Sequence, residues 1–138
     1  MTKQNEFDLT FEKLKTVFKP FVGKLVLVHD TKSDFYLDMP VIMKNKKPLF
    51  FGAVRKGKAF VSFHLMPVYG LPELLDGVSP ELKKRMQGKS CFNFTSVDDK
   101  QLKELSALTK EGYAKFSSKK MFDMLASWGK LLSMRRAR

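Results

Sequence analysis

At 138 residues, the chain is long enough for one hydrophobic core and too short for two, so we expect a single domain over residues 1–138. Hydrophobic residues at 43% and charged residues at 29% are typical of a globular protein and exclude a disordered chain. The one cysteine, Cys91, excludes an internal disulfide, and a net charge of +12 favours anionic partners.

The N-terminal part of the chain predicts a helix followed by strands. The sequence KLVLVHD at residues 24–30 predicts a strand, and KSDFYLDMP predicts a shorter strand that ends before Pro40. A basic loop follows at residues 44–47. Before these strands, apolar residues recur at spacings of 4, 3, 4 and 3, which predicts an amphipathic helix ending near Pro20: Phe7, Phe11, Leu14, Phe18 and Phe21.

The sequence PLFFGAVRKGKAFVSFHL at residues 48–65 predicts a β-hairpin. Two apolar runs flank RKGK, where Gly57 supplies the positive φ of a tight turn. The following GLPELLDG predicts one helical turn that stops at Gly77. A small helix is then predicted with Ser79 as its N-cap, Pro80 at its first position and Gly88 beyond its end.

The C-terminal part predicts one more strand and two helices. KSCFNFTS alternates as a strand, and Asp98 and Asp99 favour the start of a helix whose apolar face comprises Leu102, Leu105, Leu108 and Phe116. The last segment predicts a helix that is followed by a basic tail. The evidence for this helix is an apolar stripe formed by Met121, Leu125, Trp128 and Leu132. We expect this helix to dock on its own domain, with a homodimer interface as the alternative to a monomer.

Because strands cluster between helices, we predict an α+β fold. A mostly antiparallel sheet of about five strands carries the N-terminal helix and the C-terminal helices. The longest aliphatic run, LVLV at residues 25–28, is far shorter than the ~20 residues that cross a membrane. The N-terminal MTKQNEFD has no apolar signal region, so we expect a cytoplasmic protein.

A resemblance to a known family rests on the segment ending in Met39 and Pro40, the hairpin KPLFFGAVRKGKAFVSFHLMPVY and the later GKSCFNFTSVDDKQLKELSALTKEG. In this order they resemble the YdhG-like family, domain of unknown function 1801, although Asp38 stands where that family usually has glycine. The resemblance covers a core at about residues 5–116, with residues 117–138 as an extension. It implies a compact α+β domain. Some relatives are discussed as iron chaperones, but that role requires an acidic surface and this chain is basic.

One face of the predicted sheet mixes polar and aromatic residues. Strand alternation places Phe60, Ser62 and His64 together, opposite the apolar residues between them. Asn93 and Thr95 are expected on the same face. Apolar walls with a few hydrogen-bonding groups are typical of a ligand site, for which the candidates are Phe60, Ser62, His64, Tyr69 and Asn93. The alternative is a half-exposed face shaded by the C-terminal helix.

Residues for catalysis or metal binding are scarce. The chain has only two histidines, His29 and His64, beside Cys91, which is neither a closed metal-ligand set nor a recognised nucleophile motif. A Cys91–His64 pair is conceivable on neighbouring strands, but a strand cysteine is usually a small buried apolar residue. We therefore predict no catalytic residue, no metal and no cofactor.

Basic residues form clusters that predict a surface for polyanion binding. The candidates are Lys44, Lys46, Lys47, Arg55, Lys56, Lys58, Lys83, Lys84 and Arg85. The sequence thus favours a non-catalytic ligand-binding or accessory module. A nucleic-acid or polyanion-binding module is the alternative, and an enzyme with an unidentified site is the third hypothesis.

Overall fold

The computed structural model describes residues 3–43, 48–88, 90–116 and 131–134 and confirms the α+β class. Its strands pair antiparallel in one sheet. They are β1 (Val26–Asp30), β2 (Asp34–Met43), β3 (Pro48–Lys56), β4 (Val61–Leu65), β5 (Cys91–Phe94) and β6 (Leu131–Met134). The first five lie side by side in chain order, and β6 pairs with β2. The sheet is therefore a meander with one strand added from the C-terminal part.

Helices precede, interrupt and follow the five-stranded meander. Before it lie α1 (Lys3–Phe18) and a 3-10 helix (Lys19–Lys24). Between β4 and β5 lie α2 (Met66–Gly70), a second 3-10 helix (Pro72–Gly77) and α3 (Pro80–Lys83). After β5 comes α4 (Asp99–Phe116). The predicted N-terminal helix corresponds to α1, and the helix predicted from Asp98 and Asp99 corresponds to α4.

The core lies between the helices and one side of the sheet, which we call the first face. Phe35, Val54, Phe63 and Phe92 form one cross-strand row of this face. The ring of Phe18 stacks on that of Phe63 with centroids 4.8 Å apart, which seats α1 on the sheet. Most phenylalanines are buried, as expected for rings without a polar group: Phe7, Phe11, Phe18, Phe35, Phe51, Phe63, Phe92, Phe94 and Phe116.

Strand β2 runs through Pro40, so the prediction that it ends before this proline is wrong. A proline cannot donate an N–H to a strand ladder. However, β1 pairs with β2 only as far as Asp38, and β6 pairs with it from Val41 onwards. The β2–β3 register also shifts between Asp38 and Ile42. Pro40 therefore lies between ladders, where no pairing requires its N–H.

The β3–β4 hairpin is present as predicted, but its turn is different. Lys56 and Val61 are the last pair, which leaves a loop over residues 57–60. The Gly57 N–H donates to the Phe60 carbonyl oxygen at 2.9 Å and closes that loop. Loops of this length are usually built around a type I turn, which needs no positive φ. Among the glycines of the described residues only Gly88 has a positive φ, at 85°, so the prediction for Gly57 is wrong.

Side-chain caps confirm two predicted helix starts. The Ser79 Oγ accepts a hydrogen bond from the Leu82 N–H at 3.3 Å. The Asp98 Oδ1 accepts from the Gln101 N–H at 2.7 Å, and the Gln101 Oε1 accepts from the Asp98 N–H at 3.1 Å. This reciprocal capping box fixes the start of α4.

The C-terminal segment departs from the predicted last helix. Residues 131–134 form β6, and Leu132, which the sequence placed on a helical stripe, lies in this strand. Past the end of β1, the edge of β2 presents backbone groups that an added strand satisfies. Met121, Leu125 and Trp128 lie outside the described residues. The division into a core at residues 5–116 and an extension at 117–138 stays a prediction.

Candidate functional site

The candidate site lies on the side of the sheet opposite the first face, which we call the second face. Strand register places two cross-strand rows on it. We call Asp34, Arg55, Ser62 and Asn93 the arginine row, and Tyr36, Ala53, His64 and Cys91 the histidine row. Because side chains alternate along a strand, both rows point away from the core.

Four side chains of β4 and β5, the last two strands of the meander, form a hydrogen-bonded cluster towards one edge of the second face. The Asn93 Oδ1 accepts a hydrogen bond from the Ser62 Oγ at 3.0 Å and a second from the Cys91 Sγ at 3.3 Å. The Cys91 Sγ lies 3.7 Å from the His64 Nε2. All four residues are half-buried. The sequence prediction brought Ser62, His64 and Asn93 to one face, and the structure also brings them into one cluster.

The surroundings of this cluster favour the neutral forms of both titratable groups. Burial lowers the pKa of His64, and the charge of Arg55 lowers it further, while Asp34 opposes this shift. Burial also raises the pKa of the Cys91 thiol, against the opposing effect of a hydrogen bond with Ser62. A protonated thiol beside a neutral imidazole is not the ion pair that activates a cysteine nucleophile. The cluster is therefore suited to hydrogen bonding rather than to nucleophilic attack.

Aromatic side chains extend the second face across β2 and β3. The rings of Tyr36 and Phe50 lie 4.8 Å apart, and His29 meets Tyr36 edge-on at 5.7 Å. Burial raises the pKa of Tyr36, and the charge of Asp38 adds to this effect. Sequence reasoning did not include Tyr36 in the site. Its alternation with Asp34 and Asp38 was the available signal, but only the β2–β3 register relates it to His64.

Two predicted site residues lie outside the cluster. Phe60 belongs to the β3–β4 loop and is 40% exposed. Tyr69 lies on α2 and is 56% exposed. It lines a separate apolar depression of about 400 Å³, together with Val68, Pro72, Leu75, Met86 and Gly88.

The predicted polyanion residues are distributed over several surfaces. Lys44, Lys46 and Lys47 lie outside the described residues. Lys56 forms an ion pair with Asp8 of α1, so its charge is used within the fold. Arg55 belongs to the arginine row, with a side chain that is 64% exposed. The remaining candidates are exposed in the hairpin loop and around α3: Lys58, Lys83, Lys84 and Arg85.

Within the described ranges, no three or more His, Cys, Asp or Glu side chains are grouped so that they could hold a metal ion. His64 and Cys91 provide only two donors, fewer than a closed transition-metal site uses. None of the helices in the same ranges is both long enough and apolar enough to cross a membrane.

Comparison of the chain with models of known protein families, with curated proteins and with solved structures gave no match. The resemblance to the YdhG-like family therefore stays a prediction.

Proposed function

We propose that the chain is a non-catalytic module that binds a small ligand on the second face of its sheet. The observation that carries this proposal is the half-buried cluster in which Asn93 accepts hydrogen bonds from Ser62 and Cys91 beside His64. Directional polar groups next to aromatic rings are the usual composition of a small-molecule site. A YdhG-like relationship and a cytoplasmic location are part of the proposal.

The protonation state of the cluster supports binding over catalysis. A neutral imidazole offers one donor and one acceptor, so His64 can hydrogen-bond a ligand in either sense. The lowered pKa of His64 and the raised pKa of Cys91 both favour such neutral groups. Half-buried groups also lose less solvation on binding than fully exposed ones, which favours a ligand that matches their hydrogen bonds.

A thermal-shift screen of a small-molecule library tests this function. We expect at least one chemical class to raise the melting temperature of the wild-type protein. The same compounds should not raise the melting temperature of His64→Ala and should still raise that of Lys110→Ala, a control at an exposed residue of α4 away from the second face. The proposal is contradicted if no compound stabilises the wild type, or if the two variants respond equally.

A basic module for nucleic acid or another polyanion is the second candidate function. Its support is the exposure of Lys83, Lys84 and Arg85 in one short segment of a chain with a net charge of +12. Fluorescence anisotropy with labelled single- and double-stranded oligonucleotides tests it. Because six to ten phosphate contacts lose about 10³–10⁵-fold in affinity between 50 and 200 mM salt, binding that survives the higher salt supports a specific site. Binding that is lost at the higher salt indicates nonspecific electrostatic attraction by the net positive charge.

A further inference from the structure

The second face carries two aromatic side chains that have no role in the core. Tyr36 and Phe50 belong neither to the hydrophobic core nor to the partly buried apolar residues packed against it. Both residues are half-buried, so part of their surface remains accessible. A phenylalanine ring has no polar group, and leaving it partly in water costs hydrophobic free energy. A bound molecule that covers the rest of this surface would recover that free energy.

These two side chains, which we call the aromatic pair, lie against each other. Their ring centroids are 4.8 Å apart and their planes are inclined by 31°, while the His29 ring meets Tyr36 edge-on at 5.7 Å. Aromatic rings at such distances attract one another, which fixes their positions. Because His29, Tyr36 and Phe50 belong to β1, β2 and β3, three neighbouring strands contribute to one aromatic surface.

The aromatic pair lies close to the polar cluster of β4 and β5. In the histidine row, Tyr36 pairs with Ala53 of β3, and Ala53 pairs with His64 of β4. Two strand spacings separate the backbones of Tyr36 and His64 by about 10 Å. Ala53 adds only a methyl group between them, and its exposure of 5% fits a floor between taller side chains. A small planar molecule over Ala53 can therefore contact the Tyr36 ring and the His64 imidazole together.

We infer that the ligand of the second face contains a planar aromatic ring, which stacks on the aromatic pair while its polar substituent hydrogen-bonds His64. Stacking favours a flat π-system over a saturated ring of the same size, because only the flat ring presents its whole face to the protein ring. The neutral imidazole of His64 offers a donor and an acceptor, which suits an amide or a hydroxyl substituent. This inference rests on the proposed function and adds the chemical class of the ligand to it.

Benzamide and cyclohexanecarboxamide are the probes that test the inference, because they share a carboxamide and differ in whether the ring is planar and aromatic. Each is titrated into isotope-labelled protein while the ring resonances of Tyr36, Phe50 and His64 are followed by NMR. We expect benzamide to shift the resonances of all three rings. We also expect it to bind at least ~10-fold more tightly than cyclohexanecarboxamide, which is the usual contribution of one stacked ring.

Phenylalanine variants make the test specific. Phe50→Leu removes the ring and keeps an apolar side chain, so it should weaken benzamide binding about tenfold and leave cyclohexanecarboxamide binding unchanged. Phe60→Leu is the matched control, because it makes the same substitution at an exposed phenylalanine of the β3–β4 loop. Phe50→Tyr keeps the ring and should bind benzamide as the wild type does, which separates the loss of stacking from a loss of folding.

Other outcomes separate this inference from the proposed function. If the two probes shift the His64 resonances at equal concentrations and Phe50→Leu has no effect, the aromatic ring is wrong and the ligand site stands. Equal weakening of benzamide binding by Phe50→Leu and Phe60→Leu also contradicts stacking on the aromatic pair. If neither probe shifts the resonances of any of the three rings, both the inference and the proposed function are contradicted.

Discussion

His64 lies at one end of the polar cluster, beside Cys91, and burial lowers its pKa below the ordinary value of about 6.5. The unfolded chain therefore binds a proton at this residue at a higher pH than the folded protein does. Proton uptake on unfolding makes the folded state less stable as the pH falls. The contribution of His64 to stability is complete above pH ~6.5 and is lost as the pH falls through and below that value.

We predict that His64→Gln makes the stability of the protein less dependent on pH. The measurement is urea unfolding of wild type and variant at pH values from about 5 to about 8, a range that spans the titration of histidine. His29→Gln is the control, because His29 is exposed on β1. If the free energy of unfolding changes with pH as steeply in His64→Gln as in the wild type, the burial described for the His64 ring is contradicted.

Cys91 is a second residue whose chemistry follows from its position on the second face. Because burial raises its thiol pKa, the reactive thiolate is rare at neutral pH. We predict that iodoacetamide labels Cys91 in the folded protein at least ~10-fold more slowly than in the urea-unfolded protein. Mass spectrometry of timed samples measures both rates. Labelling of the folded protein at the unfolded rate, or faster, would instead indicate an activated cysteine.

At the scale of elements, Gly52 determines how closely α1 approaches the β3–β4 hairpin. A Cβ at this position would lie 2.6 Å from the Phe18 Cζ and 2.9 Å from the His64 carbonyl oxygen. The ring could move only by leaving its stack on Phe63, and the carbonyl belongs to a paired strand. Only a glycine therefore fits at this contact between helix and sheet.

We predict that Gly52→Ala lowers the free energy of unfolding by roughly 1–3 kcal/mol, the usual cost of overpacking a core. Gly77→Ala is the matched control, since a Cβ there meets no heavy atom within 4 Å. Urea denaturation of the two variants provides the comparison. Equal stability of Gly52→Ala and Gly77→Ala would show that α1 does not pack on β3 as closely as described.

The elements that could be predicted from the sequence are those specified by local patterns. The apolar stripe of α1 and the acidic start of α4 depend on neighbouring residues, and both helices are present. The passage of β2 through Pro40 and the pairing of Leu132 in β6 depend on distant strands. The sequence shows no such pairing. A local rule therefore ended the predicted second strand before the proline and extended the predicted last helix over Leu132.

The residues of the candidate site also divide into those that local patterns predict and those that only the pairing of distant strands brings together. Alternation within β4 and β5 was enough to group Ser62, His64 and Asn93. Tyr36 joins them only through the β2–β3 ladder, whose register shifts twice. Tyr69 lies apart from these residues because α2 begins at Met66, directly after β4, and strand alternation does not apply to a helix.

At the scale of the whole molecule, the sheet includes a strand from the C-terminal end of the described chain. Strand β6 pairs with β2 at Val41, Ile42 and Met43, beyond the reach of β1. This pairing satisfies an edge that would otherwise be open to other chains. The residues that the sequence assigned to the end of a docking helix thus contribute backbone hydrogen bonds to the sheet.

We predict that a chain truncated after residue 130 loses amide protection at Val41–Met43 and keeps it at β4. Truncation after residue 134 is the control, because it retains β6. Hydrogen–deuterium exchange of both chains measures the local opening of β2. Unchanged protection of Val41–Met43 in the shorter chain would contradict the β2–β6 pairing.

The central claim, that the second face binds the ligand, is tested most directly by NMR mapping of a compound identified in the thermal-shift screen. We expect the largest shifts at the side-chain amide of Asn93, the ring of His64 and the backbone amides of β4 and β5. Shifts confined to Tyr69, Leu75 and Met86 would place the ligand in the apolar depression beside α2 and would contradict the claim.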